Sequence, residues 1–436
     1  MALNLLESPL YGTLFGDAEL SEILGDTQDI SRMVLFERKL ALVQGTLGVI
    51  PAEVGHAIDH GLAGAELDLG PLAQGVASSG VPVPALVSEL RRHLPEQHGQ
   101  WLHWGATSQD AIDTAHVLGW QAALDVLQPR LATLLDMLVA QSRANESTVM
   151  AGRTRSQIAT PITFGLRIAQ WAAPLIEAET EISSVREKAL RVQFGGASGA
   201  NTAIAPHGSA IADALADALG LAASPPWHTN RNGPLALANW LLGVSTALDK
   251  MAGDLILMMR PEIAEAQAGT GGGSSTMPQK ANPVGPETIR VLAQLIRNAH
   301  AGLAAAATHD EERDGTAWPL DWVLLPQMLV ATGAALRHAT TLAETLEPCA
   351  DRMAATLASQ SGVMAEQASF ILAQTLPRPE AQALVKQAVA TSKPLPEALA
   401  ELAPGTDWQA ELDPMSVVEP CRDTAERILS GRTSNP

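Results

Sequence analysis

Apolar residues recur through the middle of the chain in alternating steps of three and four. Val117, Trp120, Leu124, Leu127, Leu131, Leu134 and Leu138 form one such series, and that spacing puts all of them on one helical face. Ile168, Trp171, Leu175, Ala178, Ile182, Val185 and Ala189 form a second, and Leu237, Leu241, Val244, Leu248, Met251, Leu255 and Met258 a third. A shorter fourth series runs through Ile289, Leu292, Ile296, Ala299 and Leu303. Helices with such narrow seams bury them by packing nearly antiparallel at a shallow crossing angle. The pattern therefore predicts a central long-helix bundle over residues 109–345. Pro129 and Pro174 fall inside two of the series, where each removes a backbone donor and is expected to kink its helix. A helical region, 1–108, precedes the bundle, and a third helical domain, 346–436, follows it with a further pattern around Ala365 to Ala390.

Composition supports an all-α fold, and length makes two or three domains the expectation. The 436 residues exceed what one hydrophobic core usually organises. The 46% hydrophobic fraction is mostly Ala, Leu and Val, with one Tyr and five Phe, which favours helices over aromatic-rich sheets. A formal charge of −19 repels nucleic acid phosphates and anionic membrane surfaces, so neither is an expected partner. Cys349 and Cys421 are too few for a disulfide framework and too far apart for a metal or redox motif. The opening MALNLLESPLYG lacks a basic, then apolar, leader pattern, and no uncharged apolar run reaches membrane-spanning length. A cytoplasmic location is the expectation.

Chemistry concentrates in the polar connectors between the apolar series. The most informative is GTGGGSSTMPQKANP at 269–283, where four Gly within five residues oppose regular structure. Ser274, Ser275, Lys280 and Asn282 add hydroxyl, cation and amide donors, which suits closure over an anion as well as it suits a Gly/Ser linker. A nucleotide loop is disfavoured, because Lys280 is followed by Ala281 and no Gly-x-x-x-x-Gly-Lys-Ser/Thr order is present. Dinucleotide binding lacks its βαβ context, and no His, Cys or Asp pattern suggests a metal site. Thr107 and Ser108, at the start of a helix, offer either a carboxylate cradle or simple capping.

The stretch GSSTMPQKANP resembles the signature loop of the fumarase/aspartase superfamily, Gly-Ser-Ser-x-Met-Pro-x-Lys-x-Asn. GATSQDAIDT at 105–114 and GRTRSQIATPITFG at 152–165 match two further superfamily segments in order and spacing, each expected to open a long helix. HWGATSQD, LRVQFGGASG at 190–199, PWHTNR at 226–231 and ERDGTAWPLDWVLLP at 312–326 are most similar to its cycloisomerase branch, which lactonises 3-carboxy-cis,cis-muconate in protocatechuate breakdown by the β-ketoadipate route.

The resemblance implies that Ser274 exchanges the proton on the carbon beside a carboxylate. Lys280 and Asn282 would hold the developing aci-carboxylate, with Ser275 binding substrate and Met277 supporting the loop. Thr107, Ser108, Thr154, Gln157, His228, Arg231 and Arg313 would bind a small tricarboxylate. His103, just before the Thr107–Ser108 pair, matches a superfamily histidine and is the leading catalytic candidate among the histidines. Glu287 matches a carboxylate that often orients a second histidine, and as a helix N-terminal acid it would equally favour the local dipole. That second histidine is replaced here by Arg155, so no proton-transfer role is expected at position 155. No cofactor is implied. A homotetramer is, with each site collecting its three signature segments from three subunits. The alternatives are an adenylosuccinate-type lyase releasing fumarate, for which Arg155 is unfavourable, and a non-catalytic structural protein like the lens crystallins of this superfamily.

Overall fold

The structure, a computed structural model, describes residues 4–273, 276, 277 and 280–432. It is predominantly α-helical. Five long helices, Ser108–Ala144, Phe164–Ala189, Asn232–Met258, Val284–Ala306 and Trp318–Glu344, carry most of the buried apolar surface. Every residue of the four apolar series is buried. The first two helices run on through Pro129 and Pro174. The fifth, not marked by any of the series, contains Pro326 and buries Leu325, Met328, Leu329, Leu336 and Leu342. By length and composition it could cross a membrane, yet 61% of its most apolar window is buried inside the protein, as in a core helix. Asp321 and Arg337 bracket its uncharged stretch.

The chain divides into two compact units. The first comprises Met1–Arg130, Glu181–Ser245 and Leu292–Ala334, and the second Leu131–Thr180, Thr246–Val291 and Ala335–Pro436. Within the first, the Asp26–Thr46 helix packs on Ala52–Gly61 and on Gly208–Leu219. It buries Met33, Phe36 and Leu40, with Glu37 and Gln44 on the same buried face. Within the second, Pro377 separates the helices Ala365–Leu372 and Arg378–Val389, which share a core with Leu395, Leu399 and Trp408.

The segment around GRTRSQ differs from the expectation that it leads straight into a helix. Val149–Thr154 pairs antiparallel with Gln157–Thr163, and the helix opens only at Phe164. The second strand reads QIATPIT, whose β-branched Ile158, Thr160, Ile162 and Thr163 suit a pleated strand. Pro161 within it would break a helix interior. Two shorter pairs complete the strands among the described residues: Ala266–Gln267 with Glu347–Pro348, and Gly272–Gly273 with Ala281–Asn282.

Candidate active site

The candidate residues fall into two groups, one in each compact unit. In the first unit the Ser108–Ala144 helix begins at the predicted Thr107–Ser108 pair. Its Asp110 closes half of a capping box, accepting the Thr107 amide at 3.0 Å, and the same carboxylate accepts Gly195 N–H at 2.9 Å and Gly196 N–H at 3.0 Å. Gln193 Nε2 donates to it at 3.1 Å and His228 Nε2 lies 3.0 Å away. Asp110 thus knits the helix start to the GGASG stretch and to His228. Gly196 has φ +67, and a Cβ on Gly195 would sit 2.8 Å from the His228 ring, so both glycines are needed for this approach.

One turn along the helix, Asp113 accepts two bonds from Arg231, at 2.8 and 3.3 Å, and one from Trp318 Nε1 at 2.8 Å. Arg231 also donates to Asp321 at 2.9 and 2.5 Å. Burial pushes the Asp113 carboxyl up, but the Arg231 guanidinium and the Trp318 N–H outweigh it and hold Asp113 below the usual carboxylate range. Asp321 is pushed up by burial, which prevails over its share of Arg231. Arg231 is itself held well above its ordinary value: burial lowers it, but its two carboxylates prevail.

These contacts fix the surroundings of two of the expected site residues. Arg231 is buried with its donors engaged by Asp113 and Asp321, and His228 is buried against Asp110. Arg231 braces the site's framework, whereas His228 gives Nε2 to that framework and keeps a buried Nδ1 with no hydrogen-bond partner among the described residues. Arg313 differs: half-buried, its Nε donates to Gln109 at 2.9 Å and its Nη2 to Thr107 Oγ1 and to the Ala197 carbonyl, each at 3.1 Å. Gln109 in turn donates to Asp113 and to the His228 carbonyl. Arg313 Nη1 and the Ser108 hydroxyl have no hydrogen-bond partner among the described residues. A guanidinium edge and a hydroxyl are thereby held at a helix start, an arrangement suited to a carboxylate.

His103 lies just upstream, in the left-handed region at φ +64. Its Nδ1 is 2.6 Å from Oε1 of the fully buried Glu37, and Gln44 Nε2 donates to the next residue's carbonyl, on Trp104, at 2.7 Å. The spacing of the apolar series singled out neither Glu37 nor Gln44. The available signal was two polar residues, seven apart, on the apolar face made by Met33, Phe36 and Leu40.

In the second unit, Thr154 pairs with Gln157 across a two-residue turn whose Arg155 and Ser156 have φ +49 and +64. Non-glycine residues in this region carry backbone strain. Of the six described non-glycine residues with positive φ, His103, Arg155 and Ser156 all sit in candidate segments. Arg153 anchors the hairpin by a two-point pair with buried Glu265, at 2.8 and 2.7 Å. Beside the turn is a cavity of about 470 Å³, lined by Arg153, Thr154, Ser156, Arg167, Lys250 and Arg260 among others. Lys250 pairs with Asp254, whereas Arg167 and Arg260 have no ion-pair partner among the described residues. Burial pushes the Arg167 guanidinium down, and neighbouring Arg153 adds to the effect. A cationic surplus in a chain of net charge −19 marks this cleft as a local exception.

Ser274 and Ser275 lie outside the described residues. Around them, Gly272 pairs with Asn282 and Gly273 with Ala281, and the Lys280 amide donates to the Met277 carbonyl at 3.0 Å. Lys280 and Met277 are exposed, and Asn282 is half-buried at the foot of the pair. Glu287 is exposed in the first turn of the Val284–Ala306 helix, the position in which an acid favours the helix dipole. Among the described residues, no group of three or more His, Cys, Asp or Glu could hold a metal ion.

The sequence and the fold have counterparts among known proteins. A family profile described as Lyase matches residues 8–297. The chain is 36% identical over 405 residues to a 3-carboxy-cis,cis-muconate cycloisomerase of Bradyrhizobium diazoefficiens, covering 90% of each chain. The chain belongs to the fumarase/aspartase superfamily of lyases. Its fold matches the crystal structure of the 3-carboxy-cis,cis-muconate lactonizing enzyme from Pseudomonas putida with a TM-score of 0.90 and 32% identity, over 98% of this chain and 99% of that one. It is also 30% identical to trans-aconitate decarboxylase 1 of Mycosarcoma maydis, across 97% of this chain and 88% of that protein. Superfamily members of this similarity therefore include more than one reaction.

Proposed function

We propose that this superfamily enzyme lactonises 3-carboxy-cis,cis-muconate to 4-carboxymuconolactone. The observation that carries the reading is the Arg313 guanidinium, fixed by Thr107, Gln109 and Ala197 with Nη1 left over at the start of the Ser108–Ala144 helix. Such a group takes a carboxylate without reorganising, and preorganised donors are what a polyanionic substrate needs. The cationic cleft beside Thr154 supports the same substrate class.

In the reaction, an oxygen of one substrate carboxylate forms a bond to a carbon of the neighbouring double bond. The electron pair moves into the other carboxylate as an aci-carboxylate, next to Lys280 and Asn282. Ser274 delivers a proton to the carbon beside that carboxylate and is recharged from solvent. Nucleophile and acceptor are in one molecule, so the gain from orientation is intramolecular. Thr107, Ser108 and Thr154 hold carboxylates, with Gln157 and Ser275 beside them. The assembled site draws its three segments from three subunits of a homotetramer. Arg155, exposed at the hairpin tip, fits a reaction that uses no histidine there.

The test is loss of conjugated-diene absorbance on 3-carboxy-cis,cis-muconate compared with unsubstituted cis,cis-muconate and with adenylosuccinate. Preferred turnover of the carboxylated muconate is expected. Efficient fumarate release from adenylosuccinate, with no lactonisation, would overturn the reading.

A further inference from the structure

Glu37 is a carboxylate with no exposed surface on the Asp26–Thr46 helix, and its Oε2 has no hydrogen-bond partner among the described residues. Burying a carboxylate with half its acceptor capacity unmet is costly. Its one side-chain hydrogen bond among the described residues is with His103 Nδ1, at 2.6 Å. The same helix face grips the next residue through Gln44, so two buried polar side chains hold one strained turn. The His103 ring is 18% exposed, and Nε2 has no protein partner among the described residues.

We infer that Glu37 is a positioning residue for His103, fixing the ring through Nδ1 so that the Nε2–H is the donor offered to the substrate. This rests on the proposed site, in which His103 precedes the Thr107–Ser108 pair. A carboxylate on one ring nitrogen orients the imidazole and makes the other nitrogen a charged donor, a stronger partner for a carboxylate than a neutral ring. The groups facing His103 agree. Burial disfavours its charge and Arg91 opposes it, but Glu37, by charge and hydrogen bond, and Asp110, by charge, outweigh both and raise it above the usual imidazole range.

The experiment compares wild-type, Glu37→Gln and Glu37→Asp full-length proteins, with assembly confirmed by circular dichroism and light scattering. Histidine Cε1 hydrogen–deuterium exchange, read by mass spectrometry on the His103 peptide across pH, gives the ring's titration midpoint without substrate. The midpoint is expected to fall in Glu37→Gln and to fall less in Glu37→Asp, which keeps the charge. Turnover should follow. For Glu37→Gln, kcat/KM is expected to drop about tenfold or more near pH 8, the range for a lost charge-assisted hydrogen bond, and to recover toward wild type near about pH 5.5, where both rings are charged. An unmoved midpoint in Glu37→Gln overturns the proposal, as does a moved midpoint with an unchanged pH profile. Because the midpoint needs no substrate, its failure is distinct from failure of the lactonisation reading.

Discussion

Arg231 meets both oxygens of Asp113, at 2.8 and 3.3 Å, and neither side chain is more than 2% exposed. Asp113→Asn takes one of two carboxylates from buried Arg231 and leaves it Asp321, at a cost of about 1–3 kcal/mol for the lost charge-assisted hydrogen bonds. The substitution should therefore lower the unfolding midpoint. The dependence on pH has a definite sign. Asp113 is held below the usual carboxylate range, so its stabilisation is fully present above its unfolded value and is lost as pH falls through the folded one. The stability gap between wild type and Asp113→Asn should narrow on acidification below the ordinary carboxylate range. A gap that widens there would show that Asp113 is not ionised in the folded protein.

Arg313 is the complementary case, a cation held in place with one donor to spare. Arg313→Lys keeps the charge but cannot contact Gln109, Thr107 and a substrate carboxylate at once. Loss of about one charge-assisted hydrogen bond predicts a fall in kcat/KM of roughly tenfold to a hundredfold, with little change in unfolding midpoint. Steady-state kinetics on the carboxylated muconate check it. A wild-type kcat/KM in the lysine variant would remove Arg313 from the site.

The proposed sharing of sites between subunits makes a further prediction. Ser274→Ala and Thr154→Ala should each assemble normally and each lose about a hundredfold or more in turnover, the usual range for a missing acid or a misplaced substrate. Mixed and reassembled together, they should regain activity, because some sites then take Ser274 from one chain and Thr154 from another, both wild type. Subunit exchange, verified by mass, that yields only the average of the two mutant activities would place both segments on one chain.

The helical framework was legible because burial of a long helix demands a regular apolar period, and every residue of the four series is buried. The hairpin before Phe164 was not, since QIATPIT is short, interrupted by Pro161, and lies in a segment matched by order and not by period. Within the site, Thr107 and Ser108 were readable from a local rule for helix starts. The Asp110, Asp113, Arg231 and Asp321 network was hidden for the opposite reason. Its members stand up to 211 positions apart, at 110 and 321, and a lone Arg in a sequence shows nothing of the carboxylates that will enclose it. The Glu37–His103 contact spans 66 positions and was equally invisible.

The central claim is that a carboxylate oxygen adds within the substrate while a proton is delivered beside the second carboxylate. Proton NMR of the product formed from 3-carboxy-cis,cis-muconate in deuterium oxide tests it most directly. The account predicts 4-carboxymuconolactone carrying one deuterium, in a single configuration, on the carbon next to the carboxylate. A product without that deuterium, or one formed by decarboxylation or elimination in place of the lactone, would contradict it.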